Sequence, residues 1–387
     1  MLAGFGPGAD RSDRSEKVGV YTRLSISGVL ALAASLLSVL PLTGPARAAT
    51  LSVSSGTTTI DTDTSYTDIN VYGGTLTGAG NLTATNSFTW SGGTITGTNA
   101  GVQLVNQGSG TLSGSGYRYL GNRTLVNASG ATLTWQNAGR LYYSDPNAAI
   151  VNQGTIDLAN TSTSYVSRSG AGALTLDNAG TINRSGSNSY MYLGSGGLTL
   201  NNTGTINVQQ GGLAIAGDVN DTGTTTVASG AGLTYNSGTI DLSGATVTGG
   251  GNVYFYSGAN ATLGAGYATT GTTYNYGTIA LDGGSATTFY NYGGTATVGA
   301  TSTFSATTTN VNGGTLVVQN GSANLGTVNV NGGVLQLDGG THAQSVTLKG
   351  GTLQGASHTL TQAFDWQSGT LAGTAGAGQS TTLAAGG

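Results

Sequence analysis

The segments VNQGTIDL (151–158), DNAGTINR (177–184) and NNTGTINV (201–208) are one phrase written three times, and they set the phase for the rest of the chain. The same phrase recurs as NYGTIAL (275–281), VNGGTLVV (311–318) and VNGGVLQL (330–337). Taking its glycine as marker places turns from Gly74 to Gly369 in fifteen gaps, or about 20 residues per repeat. Each repeat holds short bursts such as TIDL, TLVV and LQL, alternating apolar with polar and bounded by Gly, Asn and Ser. Alternation of that kind is the signature of a half-buried strand, and the bursts are too short for helices.

A burst of four or five residues cannot bury its apolar face alone, but stacked on copies of itself it can. Such a period suits two architectures, a leucine-rich horseshoe or a parallel β-helix with one coil per repeat. The horseshoe requires a helical half, and nothing after Leu42 reads as helix. The expectation is therefore an all-β chain folded as a parallel β-helix (solenoid), right-handed, with coils of about 20 residues. Sixteen coils spaced by about 4.8 Å make a rod of roughly 75 Å. Asn precedes the marker glycine by two residues at Asn152, Asn178, Asn202, Asn236, Asn275, Asn312 and Asn331. Asn tolerates left-handed turn geometry, and amides stacked at the coil spacing form a hydrogen-bonded ladder, so these are read as structural.

Composition agrees with a packed β-rod. Of 387 residues 69 are Gly, none is Cys and only 7% are charged, yet β-branched and aromatic residues occur throughout, unlike a disordered chain. The segment 1–48 reads as a signal peptide: a polar lead with Arg11, Arg14, Lys17 and Arg23, an apolar run Leu24–Leu42, then Ala46-Arg47-Ala48 as cleavage motif. A retained membrane anchor is the other reading of that run. The remainder, 49–387, is one β-helical repeat domain with no second apolar run of spanning length. It carries six basic residues against twelve aspartates and no glutamate, a formal charge of −6. That balance excludes nucleic acid as a partner, because nucleic-acid binding needs a basic footprint. Without cysteine, stability must come from repetitive packing.

A longer phrase closes the sequence as it opened it. GGTLTGAGNLTATNSFTWSGGTITGT (73–98) returns as GGTLQGASHTLTQAFDWQSGTLAGT (350–374), and a full second copy would run on into something like GYRYLGN (116–122). The chain stops short of that, so the expectation is the front part of a larger exported protein, truncated at its C-terminus. These phrases, with NQGTIDL, resemble those of bacterial "beta strand repeat" surface proteins and, more loosely, autotransporter-adhesin passenger domains. The resemblance covers most of the segment 50–387. It implies a stacked β fold, a secreted or outer-surface location on a bacterium, and an outer-membrane barrel or other anchoring domain beyond the passenger.

Chemistry is sparse. His342 and His358 are sixteen residues apart with only Asp338 nearby, and Asp61, Asp63 and Asp68 sit where a polar cap would shield the first coil. Calcium would need more ligands in a fixed loop, so no metal and no cofactor is expected. One region differs from the rest. Five of the six basic residues lie between 118 and 184, where the successive markers Gly130, Gly154, Gly180 and Gly204 are spaced more widely than the average repeat. Longer coils place extra loop on one side of a rigid rod, where binding residues tend to sit. Arg118, Arg140, Arg168 and Arg184 with Tyr119, Tyr142, Tyr143, Tyr165 and Tyr192 are the candidate ligand-binding residues, a strip that stacks on sugars and pairs with anions. The competing reading is that the tyrosines stack on one another and arginine covers them.

Three functions follow from different classes. A surface rod acting in adhesion or self-association fits the long uncharged repeating face, with a host or environmental glycan, a protein or another copy as partner. A passive stalk or coat element fits the same face. A polysaccharide-processing enzyme is disfavoured, because glycoside chemistry needs paired carboxylates or a base, and the chain after Ala48 has one lysine, two histidines and no glutamate. The chain is read as a non-enzyme.

Overall fold

The computed structural model describes residues 47–136, 139–319, 323–338, 341–356, 358–373 and 381–383. The expected leader lies outside them, except that the first strand, Arg47–Val53, starts just before the expected cleavage point. Among the described residues thirty-seven strands form one continuous sheet wound into stacked coils, and their pairings are parallel. Among the same residues there is no helix, so the β-helix is the architecture and the horseshoe is excluded.

Alternation in the sequence becomes in-and-out packing. In Thr155–Leu158 and Thr205–Val208 the Ile, Leu and Val are buried while Thr, Asp and Asn point outward. Stacking then aligns like with like. One inward column runs unbroken through Ile150, Leu176, Leu200, Val219, Ile240, Ala261, Ile279, Ala296, Leu316, Leu335 and Leu353. Each fully buried Leu or Ile contributes about 1.5–3 kcal/mol, so the rod is stabilised rung by rung.

Of the asparagines before the turns, Asn152, Asn178, Asn202 and Asn275 point inward, whereas Asn236 is half-buried and Asn312 and Asn331 face outward; the first three belong to an internal ladder. Asn106, Asn127, Asn152, Asn178 and Asn202 each donate Nδ2 to the next side chain at 2.6–2.9 Å, and the last acceptor is Asp221. The second amide proton of Asn127, Asn152 and Asn178 goes to the carbonyl of Thr155, Thr181 and Thr205. A carboxylate has no proton to pass on, so Asp can stand only at the accepting end. There Asp221 also takes Gly223 N and Thr225 Oγ1. The marker glycines stack too. A Cβ at Gly180 or Gly204 would collide with the carbonyl oxygen of Gly154 or Gly180 in the coil before.

The twice-written phrase occupies equivalent strands with different surroundings. Trp90 is buried between Val71 and Leu112, whereas Trp366, against Leu348, is 55% exposed.

Coil girth changes along the rod. Successive rungs of the asparagine ladder, Asn127, Asn152, Asn178 and Asn202, are separated in sequence by 25, 26 and 24. From Tyr254 to Tyr274, Tyr290 and Asn310 the steps are 20, 16 and 20.

Candidate functional site

The wide coils hold the arginine and tyrosine residues singled out by sequence, and strand parity sorts them. Arg118 has the parity of Leu120, Arg184 that of Ile182 and Tyr143 that of Leu141, so all three point into the core. Arg118, Arg123 and Arg184 are each 0% exposed, and Tyr143 is buried with them. This corrects the expected surface strip: Arg118, Tyr143 and Arg184 cannot meet an external ligand.

Inside, the guanidinium groups satisfy backbone carbonyls turned inward by the long loops. Arg184 reaches Leu158 O at 2.6 Å, Gly212 O at 3.2 Å, Ser187 O at 3.2 Å and Ser189 O at 2.8 Å. Arg123 reaches Thr96 O, Gly80 O, Gln103 O and Gly78 O at 2.8–3.1 Å. Arg118 is less well held. Its one hydrogen bond is to Ser113 O at 2.7 Å, its Nε and Nη2 have no acceptor, and its Cζ lies 5.2 Å from the Trp135 ring centroid. Burial lowers the pKa of Arg118 and Arg123 to about 10 and also lowers that of Arg184, where Asp157 opposes it. All three stay charged at neutral pH. Tyr143 donates its hydroxyl to Gly196 O at 2.6 Å, and burial raises its pKa.

The remaining candidates, Tyr119, Arg140, Tyr142, Tyr165, Arg168 and Tyr192, do face outward or sit partly exposed. Tyr119 stacks on Tyr142 at 5.3 Å between centroids and Tyr165 on Tyr192 at 5.0 Å, with Arg140 4.3 Å above Tyr165. The Tyr142 hydroxyl, 3.5 Å from Arg140 Nη1, is the main cause of a raised Arg140 pKa. Here the rings stack on each other and arginine covers them. Arg168 shares the parity of Val166 yet is exposed, because the strand ends at that residue.

A larger array lies elsewhere. Thr234 is followed outward by Tyr254, Tyr274 and Tyr290 on successive coils, and Tyr256, Tyr276 and Tyr292 form a second column beside them. Centroids within a column are 4.7–5.4 Å apart and the planes lie within 5–11° of each other. Tyr256 is 44% and Tyr292 41% exposed. Sequence reading passed over this array although it is written plainly: VYFYSG (253–258), YNYG (274–277) and YNYGG (290–294) repeat Tyr-x-Tyr, the spacing that puts both rings on one face of a strand.

The geometry determines what these rings offer. Stacked nearly parallel along the rod, they cover one another's faces, and only edges and hydroxyls look outward. A sugar cannot lie flat on an interior ring of either ladder. The tyrosines therefore present a comb of phenol hydroxyls, each both donor and acceptor. Asn310 and Asn329, then Asn312 and Asn331, continue the columns as outer amide ladders at 3.1 and 2.7 Å.

The acids near the start of the rod bond to the following coil. Asp61 accepts Ala79 N, Asp63 accepts Asn81 N, and Asp68 accepts Ser87 Oγ and Asn86 Nδ2, bonds that hold the Asp68 carboxyl below its usual pKa. The side chains of His342 and His358 fall outside the described residues. Among the described residues no cluster of three metal-ligating side chains occurs, and no helix is long and apolar enough to cross a membrane. Comparison with family profiles, curated proteins and solved structures found no match.

Proposed function

We propose that the chain is an exported surface rod that works by contact, in adhesion or self-association. The observation that carries this reading is the tyrosine and asparagine comb. An exposed aromatic array on a rigid support is the composition enriched at interfaces, and exposed aromatic residues gathered into one patch are rare on surfaces without a partner. The leader-like segment 1–48 supports export, and the resemblance to bacterial repeat surface proteins supports the location. Secreted material is expected to begin at Ala49, and retention of Met1 on a cytoplasmic product would remove the export half of the proposal.

The contact half is tested with beads carrying the purified chain, mixed with like beads and separately with bacterial and host cells. Clumping or capture that disappears when Tyr256, Tyr276 and Tyr292 are changed to Ser supports contact through the comb. Beads that adhere to nothing would leave the rod as a passive stalk.

A further inference from the structure

The middle outward column can be followed for ten coils through Tyr165, Tyr192, Ala214, Thr234, Tyr254, Tyr274, Tyr290, Asn310, Asn329 and Thr347. None of these ten is charged, although Ala214, Thr234 and Asn310 are themselves buried and the rung after Thr347 is Asp365. The flanking positions are as bland: Tyr190, Gly212, Gly232 and Asn252 on one side, continuing as Thr272, Thr288, Thr308, Thr327 and Ser345. On the other side stand Tyr256, Tyr276, Tyr292, Asn312 and Asn331. Even the glycines serve the comb, since a Cβ on Gly212 would run into the Tyr190 ring.

We propose that two copies of this chain pack side by side through this face. The inference rests on the contact reading above and names the partner. Four physical points favour a second copy. Interior ring faces are occupied by stacking, so a partner must bond to edges and hydroxyls. Phenol, amide and threonine hydroxyl groups are each donor and acceptor, so the face is complementary to itself. Between Tyr192 and Asn331 the face carries no charge and so lacks like-charge repulsion, and its charged residues stand at the ends, Arg140 over Tyr165 and Lys349 beside Thr347. A partner can engage every rung only if it shares the repeat of about 4.8 Å, and a second copy does so by construction. The area suits a weak, reversible pair. Nine steps give roughly 43 Å of length for two columns about 7 Å apart, and the five rungs of the third column add roughly 19 Å of the same width. That flat projection of roughly 430 Å² is about half of the roughly 800 Å² per partner of a standard interface.

Sedimentation equilibrium of the full chain over a wide concentration range tests this. The expected result is a reversible dimer, weakened at least tenfold by the triple variant Tyr256→Ser, Tyr276→Ser, Tyr292→Ser. Asn331→Lys, which puts a charge on an exposed rung and leaves the ring stack intact, is expected to weaken it as well, so the test survives if the triple variant misfolds. A chain that stays monomeric up to about millimolar concentration overturns the proposal, as does a dimer indifferent to both changes. A monomer that instead binds neutral oligosaccharides through the same tyrosines also overturns it, assigning the face to a glycan. If the monomer's beads still capture cells, the contact reading stands and only the partner is wrong; if they capture nothing, both fall.

Discussion

The two tyrosine-bearing stretches, 117–192 and 254–292, stack rings at the same spacing but treat everything around them differently. In the first, wide coils, stepping by 24 to 26 along the asparagine ladder, carry loops such as 185–189, whose carbonyls fold inward, and Arg184 enters the core to meet them. That girth also leaves an apolar cavity of about 40 Å³ among residues that include Leu133, Ile156, Leu174 and Ile182. In the second, the steps are shorter, 16 to 20 from one tyrosine rung to the next, the rings of Phe255, Tyr267 and Phe289 fill the core, and the paired tyrosines of the Tyr-x-Tyr repeats stay outside. Strand parity decides which way a polar side chain points, and the inward carbonyls of the wide coils give a buried Arg184 its partners. A cluster of arginines on a solenoid therefore indicates loops to be satisfied before it indicates a ligand.

The largest expected effect breaks the support in the wide coils. Arg184→Met leaves several buried carbonyls without donors and is expected to cost about 3–5 kcal/mol in chemical denaturation. Arg118→Met, which removes one hydrogen bond and an incompletely satisfied charge, is expected to be near neutral or stabilising. Equal losses at the two sites would remove the distinction between them.

The narrow coils have a corresponding weak point at alkaline pH. Tyr267 is fully buried, its hydroxyl 2.6 Å from Thr273 Oγ1, and burial pushes its pKa up to about 12; Tyr235, also fully buried, is raised well above its ordinary value. A phenol whose folded pKa exceeds its unfolded value of about 10 contributes fully below pH 10, and that contribution disappears as pH rises through 12. About 2–3 kcal/mol is expected to be lost over that interval through Tyr267. A pH series of urea melts should show this decline in the parent chain and a shallower one in Tyr267→Phe; identical profiles would contradict the burial.

Asn152→Leu interrupts the internal amide ladder, removing donors to Asn178 Oδ1 and Thr181 O and the acceptor for Asn127. The expected cost is about 2 kcal/mol, read as faster hydrogen exchange in coils 127–202 than in coils 254–310. The smallest effect is Arg140→Gln, which removes the cation above Tyr165 and should leave the urea midpoint nearly unchanged, because the contact is at the surface.

Much of the architecture was legible in the sequence because the repeat is stated in the residues that enforce it. VNGGTLVV alternates, its glycines allow close coil approach, and its asparagine relatives form the ladder. Arg118 and Arg184 were misplaced through neglect of parity: Tyr-Arg-Tyr-Leu puts arginine on the leucine side, and Thr-Ile-Asn-Arg puts it beside isoleucine. The reason for burying them was not legible, since it lies in carbonyls aimed inward by loops whose paths depend on girth. The outer tyrosine columns are legible by the same parity, since each Tyr-x-Tyr puts both rings on one face of a strand.

The most direct test of this account is labelling of the native chain with an arginine-selective dicarbonyl, followed by peptide mass spectrometry. Arg140 and Arg168 should react quickly, while Arg118, Arg123 and Arg184 should stay protected until the rod is unfolded. Labelling of Arg118 or Arg184 at the rate of Arg140 in folded protein would contradict the buried supports and return the wide coils to candidacy as a binding surface.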